Sequence, residues 1–132
     1  MRAVFDASLF ARALIDRQLD ASRWLERLAR RELDVIVPDL VFAEVGQTLA
    51  RHVRANLLAP TAAAARLDFV RELPLDVRPL ELLAPPALEL ALARNLTVYD
   101  ACYGVLAEAE RAVLVTADGP LAAAVERAEL LA

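Results

Sequence analysis

Residues 112–116, AVLVT, form an apolar run with no polar alternation. A strand of that kind needs cover on both faces, which a parallel sheet between two helical layers provides. The rest of the chain fits such a sheet. Residues 2–6 (RAVFD) and 34–37 (DVIV, ended by Pro38) read as strands, Pro74 to Pro79 holds a short strand with Leu75 and Val77 in phase, and 129–132 adds a stub. Helices fall between them at 8–17, at 20–32 with Asp20 or Ser22 as cap, and at 39–57. In the last, Phe42, Val45, Gly46, Leu49 and Val53 recur at the spacing of a buried helical face. Pro60-Thr61 opens a helix to 72, Pro85-Pro86 one to Arg94, and Thr97 caps one carrying Val98, Ala101, Cys102, Val105, Leu106 and Ala109; a last helix spans 119–128. Strands and helices alternate without hairpin turns. The pattern predicts a three-layer α/β/α sandwich around a short central parallel sheet, as one domain over 1–132 with no repeat or linker.

Missing residue types narrow the chemistry. All 15 basic residues are arginine, which removes a P-loop lysine, Schiff-base chemistry and the lysine of phospho-aspartate folds. The three glycines are too scattered for a dinucleotide loop, and one histidine with one cysteine cannot build a Cys/His zinc site. No uncharged run approaches the roughly 20 apolar residues of a membrane span. Asp6 interrupts the first apolar stretch, so no signal peptide is expected, and a reducing cytoplasm is the default compartment for a chain with Cys102 alone. Carboxylates remain: 19 acids against 15 bases, favouring oxygen-ligated hard metals if there is catalysis at all.

Ligands of open parallel sheets sit beyond the carboxyl ends of the strands. Asp6 ends the first strand and Asp118 follows the last long one, while Glu44 and Asp100 lie early in helices expected to start near that edge. Both helical acids stand away from the apolar faces of their helices, yet among small or apolar neighbours, as in a cleft. Each acid also has a plain structural reading. Asp6 or Ser8 can cap the first helix, Asp118 the last, Thr97 and Asp100 fit a capping box, and Glu44 is a surface acid within reach of Arg51. Independent caps need not gather at one end of one sheet, however.

Four segments in order, VFDAS with Asp6, VPDLVFAEVGQTL with Glu44, LTVYDACYGVLAE with Asp100 and LVTADGPLA with Asp118, resemble the PIN-domain ribonucleases, and within them the VapC-type toxins of toxin–antitoxin pairs. The resemblance runs through almost the whole chain. It implies a metal-dependent endoribonuclease in which Asp6, Glu44, Asp100 and Asp118 bind Mg²⁺ or Mn²⁺, with Ser8 and Thr116 orienting carboxylates or a metal-bound water. It also implies an RNA substrate, a small VapB-like antitoxin partner and a homodimer or higher even oligomer. Gly119-Pro120-Leu121 supplies neither the basic nor the acidic residue that often follows this last motif, which argues against a well-filled second metal site. The family's fifth strand is expected to be short.

A net charge of −4 opposes RNA binding, and the four acids formally account for all of it. Arg23, Arg27 and Arg30 lie on one helical face with Arg31 beside them, as a solvated face, an RNA track or an antitoxin patch. Trp24 and Cys102 read as core, His52 as surface or interface, and Tyr103 equally as core or as a hydroxyl at the site's edge. Two other functions stay open: a PIN-like domain that binds RNA or protein without cutting, and a phospho-receiver-like signalling domain, which the absent lysine disfavours.

Overall fold

The apolar runs do become parallel strands. In the computed structural model, which describes residues 1–132, the elements follow as β1 (Arg2–Phe5), α1 (Ala7–Leu14), α2 (Leu19–Ala29), β2 (Asp34–Pro38), α3 (Leu40–Arg54) and α4 (Pro60–Glu72). Then come β3 (Leu75–Arg78), α5 (Leu80–Arg94), α6 (Val98–Glu110), β4 (Val113–Thr116), α7 (Gly119–Ala123) and β5 (Ala128–Leu130). All five strands are parallel, in the order β3-β2-β1-β4-β5, with Val4 between Ile36 and Leu114 at the centre. Every residue of β4 is buried, as its unbroken apolar run requires, whereas the edge strands β3 and β5 are half-exposed.

Helices cover both faces. On one side α1 packs on α2 and α3, and α3 on α4; on the other α6 lies across β1, β2 and β4 with α5 and α7 against it. The buried apolar residues form one continuous core from both layers and the sheet. This is the expected three-layer sandwich. Trp24 is partly buried and packs against the core, meeting Phe5 edge-on at 6.2 Å with Arg27 over its ring at 4.8 Å, and Cys102 is buried. No helix is long and apolar enough to cross a membrane.

Several boundaries differ from the sequence reading. α1 and α3 end early, followed by Arg17 and Asn56 in the left-handed region at φ 53° and 59°. α2 begins at Leu19 after Gln18, so neither Asp20 nor Ser22 is its cap; Asp20 sits in its first turn, where a negative charge meets the positive end of the helix. Pro38 closes β2 from within, paired with Arg78. α5 starts at Leu80, before Pro85-Pro86, because Leu83 anchors its first turn in the core and Asp39 Oδ1 accepts from the Leu80 N–H at 3.2 Å. α7 stops at Ala123, since the chain must turn for β5 to pair with β4 through Leu114 and Ala128.

Candidate active site

From β1 the chain steps outward through β2 to β3, then returns to the other side of β1 as β4. The carboxyl ends of β1 and β4 therefore flank the switch point of the sheet, where connections leave in opposite directions and open a crevice. Asp6 follows β1 and Asp118 lies two residues beyond β4. Glu44 comes from the first turns of α3 in one helical layer, and Asp100 from the first turn of α6 in the other. All four line one cavity of about 370 Å³, together with Ala7, Ser8, Ala11, Gln47, Thr48, Arg51 and Tyr103. The four acids that the sequence singled out are thus brought together, and Ser8 is with them.

Asp6 and Thr116 are the two buried polar side chains of the protein, and they bond each other: Thr116 Oγ1 donates to Asp6 Oδ2 at 2.5 Å. Asp6 Oδ1 accepts from Ser8 Oγ at 2.5 Å and from the Leu9 N–H at 3.2 Å. The hydroxyls are themselves fixed by main chain, Ser8 Oγ by the Ala117 N–H and Thr116 Oγ1 by the Asp118 N–H. Asp118 Oδ1 accepts from the Leu121 N–H at 3.0 Å, and Thr97 caps α6 through the Asp100 N–H. The capping readings of Asp6 and Asp118 are therefore true, and do not compete with a place in the cavity. A cap occupies one oxygen on one side and leaves lone pairs facing outward.

Tyr103 joins the two layers. Its ring is buried in the core and its hydroxyl donates to Glu44 Oε1 at 2.6 Å, so the core and site-edge readings hold at once. Sequence reasoning did not single out Gln47 and Thr48, and took Arg51 only as a surface partner for Glu44. Their signal was available: they lie three, four and seven residues after Glu44, on the same helical face. Arg23, Arg27, Arg30 and Arg31 do not line this cavity. Arg23 and Arg27 flank Trp24 in a separate hollow beside Leu130 and Leu131 of the sheet's edge.

The electrostatics are those of crowded acids. Burial pushes the Asp6 carboxyl above the usual aspartate range against the opposing pull of Ser8, Thr116 and Leu9, and Asp100 adds to the rise. Glu44 is raised by burial, with the Tyr103 hydroxyl opposing and Asp100 and Asp6 reinforcing. Asp100 is raised by burial and by Asp118, with Thr97 opposing. The Tyr103 phenol rises for the same reasons, burial first and then Glu44. The acids share a cavity without converging on a point: no three or more His, Cys, Asp or Glu side chains form a ready-made metal site.

Known proteins share this sequence and this architecture. Residues 3–126 match the PIN domain family. Over 124 residues the chain is 33% identical to Ribonuclease VapC3 of Pyrobaculum aerophilum, covering 92% of this chain and 93% of that protein. PAE2754 from Pyrobaculum aerophilum superposes with a TM-score of 0.75 at 27% identity, over 97% of this chain and 82% of that one. VapC20 of Mycobacterium tuberculosis, a sarcin–ricin-loop-cleaving toxin, shares the fold at a TM-score of 0.71 and 19% identity, over 92% and 94% of the two chains. The sequence match across nearly the whole chain, on a sheet and crevice of this form, makes the protein a member of the PIN-domain family.

Proposed function

We propose that this protein is a divalent-metal-dependent endoribonuclease, acting as the toxin of a VapBC-type toxin–antitoxin pair in the cytoplasm. The observation that carries the reading is the gathering of Asp6, Glu44, Asp100 and Asp118 in one cavity at the switch point of the sheet. The similarity to Ribonuclease VapC3 supports RNA as the substrate, and a small VapB-like antitoxin is the partner that this reading implies. The exposed Leu82, Leu88 and Leu92 of α5 offer apolar surface that an antitoxin or a second copy would cover.

The donor set fits Mg²⁺ or Mn²⁺. It consists of carboxylate oxygens, which hard divalent cations prefer. An ionised carboxylate has about four acceptor positions; Asp6 uses three of them, and Glu44 and Asp118 accept one side-chain-directed hydrogen bond each. Lone pairs therefore remain for a cation. The carboxyls of Asp6, Glu44 and Asp100 are raised first by burial and then by neighbouring acids' charge, and a positive ion beside them opposes both. Bound there, a divalent ion supplies Lewis-acid neutralisation of the scissile phosphate and a nucleophilic water.

The chain's own residues prepare the reaction. Ser8 and Thr116 lock the Asp6 carboxylate in one rotamer, and Tyr103 holds Glu44 toward the crevice from the opposite layer. Asp100 and Asp118 enter from the starts of α6 and α7 and complete the rim. With carboxylates fixed in advance, little reorganisation is left for the chemical step. A second reading, a PIN-like domain that binds RNA or protein without cutting, draws on the absence of a converged three-acid cluster. Incubating a labelled RNA pool with the protein and Mn²⁺ separates the two. The nuclease reading expects fragments that vanish in EDTA and return with excess Mn²⁺; intact RNA under all conditions favours the second.

A further inference from the structure

We propose that Arg51 is a substrate-positioning residue that grips the RNA phosphate next to the scissile one, an assignment that rests on the nuclease reading above. Arg51 is the one cationic side chain lining the acid cavity. Four carboxylates share that cavity, yet Arg51 pairs with none of them; the ion pairs of the protein engage Arg2, Arg71 and Arg78. It is held off instead. Its Nη2 donates to Thr48 Oγ1 at 3.2 Å, and Thr48 in turn donates to the Glu44 carbonyl at 3.2 Å. The arginine is thus tied to its own helix, exposed, with most of its five N–H donors free.

That arrangement suits an anion arriving from outside. The acids and Arg51 carry a formal charge of −3 together, and an incoming polyanion needs a cation beside the acids to approach. The planar fork of arginine matches two phosphate oxygens at once. Glu44 and Arg51 are two helical turns apart on α3, about 10.5 Å along the axis. Side chains lean toward a helix's N-terminus, as the bond to Thr48 shows, so the guanidinium stands beside Thr48, one helical turn from Glu44 on the cavity wall. A phosphate gripped there is a neighbour of the one at the acids, not the reacting group itself. Arg51 would therefore serve binding and register more than the chemical step.

The test compares Arg51→Gln, Arg51→Lys and, as a control for net charge, Arg94→Gln, which removes an exposed arginine from the end of α5. Kinetics on a short single-stranded RNA with Mn²⁺ should show KM rising about tenfold in Arg51→Gln, with kcat changed far less. Arg51→Lys should recover part of the loss, and Arg94→Gln should match wild type. Binding of the same labelled RNA, measured by fluorescence anisotropy in an Asp6→Asn background across a salt series, supplies a readout independent of cleavage. Losing one phosphate contact should flatten the slope of log affinity against log salt by about 0.7. Arg51→Gln indistinguishable from Arg94→Gln in KM and in slope overturns the assignment and leaves the nuclease reading standing. An Arg51→Gln loss in kcat alone overturns it too, since that places the residue on the reacting group. Wild type that neither binds nor cuts RNA overturns both.

Discussion

Asp6 holds three jobs, and two substitutions separate them. Its carboxylate caps α1 through Leu9, accepts the hydroxyls of Ser8 and Thr116, and carries a charge at a position only 5% exposed. Asp6→Asn keeps the cap, since Asn caps a helix as well as Asp does. Its amide can donate to Ser8 or Thr116, whose hydroxyls are free to turn toward each other across 3.4 Å. The charge alone is lost. Because burial dominates the upward shift of this carboxyl, the folded metal-free protein prefers it neutral. Asp6→Asn should therefore stabilise the protein in EDTA at neutral pH on the order of 1 kcal/mol, as neutralising functional acids often does. Asp6→Ala gives up the cap, worth about 1 kcal/mol, and leaves the buried Thr116 hydroxyl only the long 3.4 Å approach to Ser8 Oγ as an acceptor, at a further cost of about 1–3 kcal/mol. It should melt below wild type. Mn²⁺ at a hundredfold excess over its dissociation constant should then add about 2.7 kcal/mol to wild type and much less to either variant. Thermal scans in both buffers read the order directly: Asn, wild type, Ala in EDTA, with wild type first in Mn²⁺. Equal gains from Mn²⁺ in wild type and Asp6→Asn, or Asp6→Asn below wild type in EDTA, would refute this reasoning.

Tyr103→Phe keeps a buried ring and removes the donor to Glu44, so urea melts should show a loss of about 1–2 kcal/mol, smaller in acid, where Glu44 takes up its proton. An RNA-cleavage rate that stays at wild type in this variant would deny Glu44 its role. Stability of the metal-free protein should fall as pH rises from about 4 toward neutrality, because Asp6, Glu44 and Asp100 keep their protons longer in the folded state than in the unfolded one. Asp76, lowered mainly by Arg78, acts in the opposite sense but below that window. The urea midpoint in EDTA should thus drop over this range for wild type, and less steeply for Asp6→Asn; a flat or rising wild-type curve contradicts the raised carboxyls. Glu110→Gln loosens the clasp of Arg2 and Arg78, outside the acid cavity, and should cost about 1 kcal/mol. Cleavage by that folded variant should equal wild type, which checks that the site effects are local.

How much was legible follows from which interactions are local. Asp6 and Asp118 were readable because they end apolar strands, and the strands are readable because β4 and its neighbours need cover on both faces. Glu44 and Asp100 could be placed by helical phase alone. Tyr103 could not be assigned, since its hydroxyl's partner lies 59 residues away in the opposite layer. Pro85-Pro86 resembled a helix start by the usual preference for proline in a first turn. The true start at Leu80 depends on Asp39, which follows β2 and reaches α5 only in the fold. The alanines after Leu121 favour helix locally, but pairing of Ala128–Leu130 with β4 sets where α7 must stop. Misreadings cluster where a contact distant in sequence overrides a local preference. The positions of the four acids were readable because Asp6 and Asp118 follow strand ends and Glu44 and Asp100 lie in the first two turns of helices.

If these four carboxylates work together on RNA, removing any one of them must slow cleavage, and parallel rate measurements test that most directly. Wild type, Asp6→Asn, Glu44→Gln, Asp100→Asn and Asp118→Asn, each checked for native melting, should be assayed on one RNA with Mn²⁺. Every variant is predicted to cut at least about 10²-fold more slowly than wild type, as loss of an electrostatic element of the transition state requires. Near wild-type cleavage by both Asp6→Asn and Asp118→Asn, whose residues flank the switch point, would contradict the account.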